Sequence, residues 1–533
     1  MNRPTQLTAV ERAYQIASLY LAERGTQSPR PVASTAKLRA GFDIALSEHG
    51  RPATDVINDL VDASKDGLVG NTSPDFYGWV MGSSNPVGVA ADILTSAWGQ
   101  NAAIYQTAPA AAVAEEVAAS WLLELLDLPR TSSVGFTTGA TMASYIALSA
   151  ARFNVLWKSG WNIADDGLSD APRIPIVISE EAHASIHSVL RYLGFGKNQI
   201  TCIPVDTEGR MRIPELEKVI AEFERPGIVI AQAGHINSGA FDYIGDIADL
   251  AKNSGSWLHV DGAFGLWARC STTVCAQTAG VEKADSWAVD GHKWLQVPYD
   301  SGYAIVRHAD AHRRAMCIDA SYLNRDELDG RNPSEFGPEL SRRARGFTTW
   351  ATIQTLGKRG IARMVDRHCS CARELASELS RIPGVEILND VCLNQVAVTF
   401  TPPSRTKHLT ALENATDQVI AELQRENLIF VSGADWSGHR IMRISVIAGE
   451  TSHNNVTRLV QAIERAWTKV LTTAETHSAP QLPDTLHQTT ENFESGTITP
   501  TVNTRLTQRL MFACCSGLFW TLFALTTLIA PPT

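Results

Sequence analysis

Short apolar runs closed by turn residues alternate with stretches of helical periodicity through most of the chain. Ile174–Ser179 (IPIVIS), Gly227–Ala233 (GIVIAQA), Trp257–Gly265 (WLHVDGAFG) and Ser286–Gly291 (SWAVDG) read as strands that are apolar along their length. Strands of that kind are buried on both faces. They predict a mostly parallel sheet covered by helices such as Ile213–Glu224 and Ile244–Asn253. In such sheets ligands sit beyond the carboxyl ends of the strands. Asp261 falls just past the strand Trp257–Val260, and His183 and Lys293 also follow apolar strands.

Beyond about Asn324 the pattern changes. A long helical stretch, Thr348–Ile382, leads into GVEILND, NQVAVTF and HRIMRISVIAG and then a last helix, Asn454–Val470. That order predicts a smaller α+β domain packed on the first. The fold class is therefore α/β, with an N-terminal helical segment over 1–110, a large domain over 111–323 and a small C-terminal domain over 324–470. The folded body is expected to end near Val470. A Thr-, Ser- and Pro-rich linker over 471–506 follows, with little apolar periodicity. Leu510 to Ala530 carries no charged residue and is about long enough to span a bilayer, with Arg505 and Arg509 before it. The segment 507–530 is thus read as a C-terminal membrane anchor, the alternative being a buried terminal helix or a poorly ordered tail.

Composition narrows the function. At 533 residues the chain exceeds what one core supports, so two or more domains are expected. A net charge of -10 with no long basic block argues against nucleic acid and for a small-molecule substrate. The nine cysteines lack zinc-site spacing and are read as reduced thiols of a cytoplasmic catalytic body, with no metal site expected. The N-terminus carries Glu and Arg inside its apolar stretch, unlike a secretory signal.

Four features carry chemistry. Lys293 stands beside Trp294 and Leu295, and desolvation would lower its pKa toward Schiff-base chemistry; alone, it reads more readily as a surface lysine covering apolar neighbours. Asp261, a carboxylate at the end of an apolar strand, calls for a cationic partner such as a protonated ring nitrogen, or else caps a turn at Gly262. His183 opens a helix, placed to lie on a ring or to serve as a structural histidine. Gly135–Thr141 (GFTTGAT) offers a helix N-terminus to a phosphate, although such turns are also ordinary caps.

As a set, HVDGAFG, DGHKW and SEEAHASIH resemble the group II pyridoxal-phosphate decarboxylases, the family of aromatic-amino-acid and glutamate decarboxylases, from about Thr72 to Trp467. The resemblance implies a fold-type-I transferase fold, pyridoxal 5'-phosphate as cofactor, and a homodimer with its active site between subunits. It implies that Lys293 is the Schiff-base lysine, Asp261 the partner of the pyridine nitrogen and His183 the ring-stacking histidine, the three catalytic residues. Ala140 and Thr141 match the pair that holds the phosphate, His292 the histidine before the lysine, and Ala263 a small residue against the ring. Pro74–Val80 resembles the segment lining the substrate pocket, with Trp79 and Val80 as substrate-binding residues.

Departures from the family pattern stand out. Gly234–Asp242 has His235 and Ile236 where many relatives carry a Thr pair, and Asp290 stands where some carry an Asn near the phosphate. Asp290 is not assigned to phosphate binding, since a second anion there needs a compensating donor. The candidate mobile loop Asn324–Pro338 has no tyrosine, only Phe336, so His292 or Lys293 becomes the candidate proton donor. Family members lacking that hydroxyl divert to aldehydes, so an aldehyde synthase or another pyridoxal-phosphate lyase is the alternative to an amine-forming decarboxylase. A non-catalytic scaffold would need the lysine or the aspartate lost. With Phe76, Tyr77, Trp79, Val80 and Met81 and no arginine in the pocket segment, an aromatic or other apolar amino acid is the expected substrate.

Overall fold

The apolar runs form a seven-stranded sheet in a computed structural model that describes residues 3–317, 330–402 and 414–478. Its strands are β1 (Ser133–Thr137), β2 (Ile176–Ser179), β3 (Ile200–Ile203), β4 (Ile228–Gln232), β5 (Trp257–Asp261), β6 (Ser286–Asp290) and β7 (Gly302–Val306). The order is β1-β7-β6-β5-β4-β2-β3, with β7 antiparallel to both neighbours and the remaining pairs parallel. Every residue of β2, β5, β6 and β7 is buried, which is why these runs do not alternate. Helix Ala140–Lys158 packs on β5, β6 and β7, and helix Ile244–Asn253 packs on β4 and β5.

Behind the sheet three tryptophans fill the core and each satisfies its N–H. Trp267 donates to the Asp290 carbonyl at 2.9 Å, Trp287 to the Val281 carbonyl at 2.9 Å, and Trp294 to His368 Nδ1 at 3.0 Å. Two of these anchors therefore grip the segment that carries Asp290 and Lys293.

The C-terminal strands form a second, antiparallel sheet of β8 (Val385–Ile387), β9 (Gln395–Phe400), β10 (Ser432–Trp436) and β11 (His439–Ser445), in the order β10-β11-β9-β8. The fold is thus α/β with a mostly parallel central sheet and a smaller C-terminal sheet region, as the pattern implied. The Tyr77 N–H donates to the Phe430 carbonyl at 2.8 Å and the Ser445 N–H to the Tyr77 carbonyl at 3.0 Å, stitching the segment before Val80 to this second sheet. The chain begins with the helices α1 (Arg3–Ala22), α2 (Thr35–Phe42) and α3 (Ala53–Ser64).

Two expectations about elements are corrected. The long helix runs Arg345–Leu379 and breaks at Gly357, whose φ of 59° leaves the helical region. The last helix runs His453–Ser478, so 471–478 is helical where a linker was expected. Met1–Ala479 forms one unit. The boundary expected near 324 falls in 318–329, outside the described residues, as do the rest of the linker and the apolar run 510–530. Among the described residues, no helix is long and apolar enough to cross a membrane.

Candidate active site

Two neighbouring parallel strands each end on an acid, Asp261 on β5 and Asp290 on β6. Lys293 follows in the turn after β6, His183 caps the helix Ala184–Tyr192 after β2, and Ala140 and Thr141 begin the helix after β1. These side chains line one cavity of about 350 Å³ together with His292, Ala263 and Val80. All the sequence-predicted site residues but one therefore meet in a single place.

The exception is Trp79. It is 50% exposed at φ 50° and does not line the cavity; its ring stacks on Phe430 at 5.2 Å and Phe76 at 6.1 Å. The turn after Gly78 points Val80 inward and Trp79 out.

Asp261 is only 7% exposed, and its Oδ1 accepts the Ala263 N–H at 3.2 Å. Burial raises its carboxyl above the usual carboxylate range, while His183, Lys293 and that N–H oppose the shift. In His183, Nδ1 accepts the Ser185 N–H at 3.2 Å and lies 2.8 Å from Ser185 Oγ. Nε2 therefore carries the proton of the neutral ring. Burial lowers the pKa of His183, and the facing Asp261 pulls the other way.

Lys293 Nζ lies 3.1 Å from Asp290 Oδ2 and 5.9 Å above the Phe264 ring centre. His292 Nδ1 accepts the Ser301 N–H at 3.3 Å, and the ring stacks on Tyr299 at 4.2 Å. Burial lowers the pKa of His292 as well.

The residues fit pyridoxal phosphate on several counts. The cavity volume lies in the range of cofactor sites. The segments that carry Lys293 and Gly139 are held by close backbone approaches: a Cβ on Gly82 would come within 2.0 Å of the Lys293 carbonyl oxygen, and one on Gly302 within 2.4 Å of Gly139 Cα. By helix geometry the first N–H groups of Ala140–Lys158 have no carbonyl acceptor within the helix, and the residues that carry them, Ala140, Thr141 and Met142, line the cavity, with the Ala140 N–H donating to Asp290 Oδ1. A buried acid for a ring nitrogen, an amine for an aldehyde and an imidazole for a ring face complete the donor set.

Sequence reasoning missed Arg443. It sits on β11, its side chain buried, and Nη1 reaches Asn237 Oδ1 only at 3.4 Å. Its Nε is buried without a hydrogen-bond partner among the described residues, and burial lowers its pKa. It is near enough to His183 to weigh against that ring's protonation. An arginine set among Ile441, Met442 and Ile444 was the available signal, because a buried cation needs an anion.

Residues 36–401 match the family model of the pyridoxal-dependent decarboxylase conserved domain. An aromatic-L-amino-acid decarboxylase of Bacillus atrophaeus is 26% identical over 87% of this chain and 97% of its own. The acidic amino acid decarboxylase GADL1 of Xenopus tropicalis is 27% identical over 69% of this chain and 72% of its own. Among solved structures, Oryza sativa TDC with PLP and tryptamine superposes with a TM-score of 0.81 at 20% identity, covering 88% of this chain and 99% of that one. That likeness establishes the fold.

Proposed function

The chain belongs to the pyridoxal-dependent decarboxylase family, and from that premise we propose that it removes the α-carboxyl group of an L-amino acid with an aromatic or other apolar side chain. The enzyme is a pyridoxal-phosphate-dependent carboxy-lyase; the substrate class is the new step. The observation that carries it is one cavity in which Asp261, His183 and Lys293 meet apolar walls of Val80, Met142, Ile236 and Phe264.

Pyridoxal phosphate, when bound, supplies an electron sink conjugated to the substrate nitrogen. Lys293 would hold the cofactor through Nζ, the amine that its aldehyde requires. Asp261 would face the ring nitrogen, where burial strengthens an ion pair. His183, its orientation fixed by the Ser185 N–H, would pack on the ring. The N–H groups at the start of Ala140–Lys158 would hold the phosphate, and Ala263 would leave room for the ring. Val80, Ile236 and Phe264 keep water from the carbon that loses carbon dioxide. His292 or Lys293 returns the proton to that carbon, both lining the cavity.

A homodimer belongs to the same reading. Neither α2 nor α3 buries a residue within the protomer, and α3 exposes Val56 and Leu60. Apolar helix faces of that kind are normally covered by a second subunit.

A second substrate class has one observation behind it. Arg443 offers an incompletely paired guanidinium, suited to the α-carboxylate of any amino acid or to the side chain of an acidic one. A substrate panel with aromatic, aliphatic, acidic and diamino acids, monitored for carbon dioxide, amine, hydrogen peroxide and ammonia, decides. Turnover of aromatic or apolar substrates to amine is expected. Turnover confined to acidic substrates sinks the aromatic reading, and peroxide with ammonia marks an aldehyde synthase instead.

A further inference from the structure

Asp290 has no part in the reaction just described, yet its carboxylate lies inside the cofactor cradle. Oδ1 accepts the Ala140 N–H at 2.6 Å and lies 3.5 Å from His292 Nε2, and Oδ2 lies 3.1 Å from Lys293 Nζ. The side chain is 4% exposed. These contacts are the compensating donors that a buried acid needs.

The donors are borrowed from the cofactor. The Ala140 amide is the first of the N–H groups that a phosphate at this helix would use, and here it already serves an acid. Lys293 and His292 are the basic side chains within ion-pair distance of Asp290 among the described residues. With Nζ committed to the cofactor, Lys293 would no longer meet Asp290 as a free ammonium, and burial holds the His292 ring toward its neutral form. A phosphate bound to the Ala140–Thr141 turn would therefore share one amide with a carboxylate.

We propose that Asp290 is a specificity-determining residue of the cofactor site, weakening its grip on the phosphate so that the chain holds its cofactor reversibly. The inference rests on the cofactor reading above. Like charges a few ångströms apart in a partly buried site repel strongly enough to move an affinity by an order of magnitude or more. The repulsion acts on the phosphate and not on the ring. The ratio of affinities for pyridoxal phosphate and unphosphorylated pyridoxal isolates it from effects on Lys293, which both ligands share.

The test strips the full-length protein of cofactor with hydroxylamine and titrates it with each ligand, following tryptophan fluorescence and ring absorbance. Asp290→Asn is isosteric and can still accept the Ala140 N–H. It is expected to raise the preference for pyridoxal phosphate over pyridoxal by about ten-fold and to slow loss of the cofactor. Asp290→Ser, which also removes the charge, reads the same ratio if the first variant folds poorly. A preference that stays the same or falls overturns the proposal while leaving the cofactor assignment intact. Failure of the wild-type chain to bind either ligand overturns both.

Discussion

Lys293 and Asp261 reach one cavity from the ends of adjacent strands, and single substitutions separate their contributions. Lys293→Ala is expected to abolish the cofactor's lysine-linked absorbance and reduce turnover to background, read by spectrum and carbon dioxide release. Asp261→Asn should retain the cofactor but lower kcat by about 10²–10³-fold, the usual cost of removing one group that stabilises developing charge. A loss below ten-fold would mean that the acid does not pair with the ring. For Arg443→Met, a rise in KM for an aromatic substrate with kcat little changed would place the guanidinium on the α-carboxylate. At this scale the sequence was legible wherever chemistry broke an apolar pattern within a short motif. Arg443 was not, because its neighbour His183 is brought to it only by folding.

Among the elements, β5 ties stability to pH. His259 is buried in it, with Nδ1 2.9 Å from Ser286 Oγ and Nε2 3.4 Å from Ser144 Oγ, and burial pushes its pKa down to about 3. In the unfolded chain an imidazole titrates near about 6.5. Between those values the unfolded state binds more protons, so stability is full above about 6.5 and is lost as pH falls toward 3. His259→Gln should flatten the dependence of unfolding free energy on pH by about one proton in that window, measured by urea denaturation at stepped pH. An unaltered slope counts against the burial argument. The start of β7 is the other sensitive element. Gly302→Ala would set a methyl group 2.4 Å from the Gly139 Cα, and backbone cannot yield as a flexible side chain would. The variant should melt lower, by the equivalent of a few kcal/mol, and bind cofactor more weakly. The positions of β2, β4, β5 and β6 were legible because buried parallel strands write continuous apolar runs. The Gly357 break and the extension of the last helix to Ser478 were not, since packing decides both.

Across the whole molecule, the N-terminal helices α1–α3 leave apolar side chains facing outward, among them Leu7, Val10, Val56 and Leu60. Light scattering should return about twice the chain mass of 57.9 kDa. Val56→Lys with Leu60→Lys should shift the species toward monomer and lower activity with it. A protein that is monomeric and fully active would remove the dimer from the account.

The sequence by itself determined the fold class, the family likeness and the identities of the lysine, acid and histidine that meet in the cavity. Each is local: a strand's burial, a turn's glycine and a motif's order are written in contiguous residues. Tertiary structure alone decided that Trp79 turns outward, that Arg443 comes from the second sheet to within electrostatic reach of His183, and that Asp290 accepts the Ala140 amide. Those are meetings between segments far apart in the chain. Their geometry is set by which strands pair and which backbones touch, and no short-range pattern encodes it.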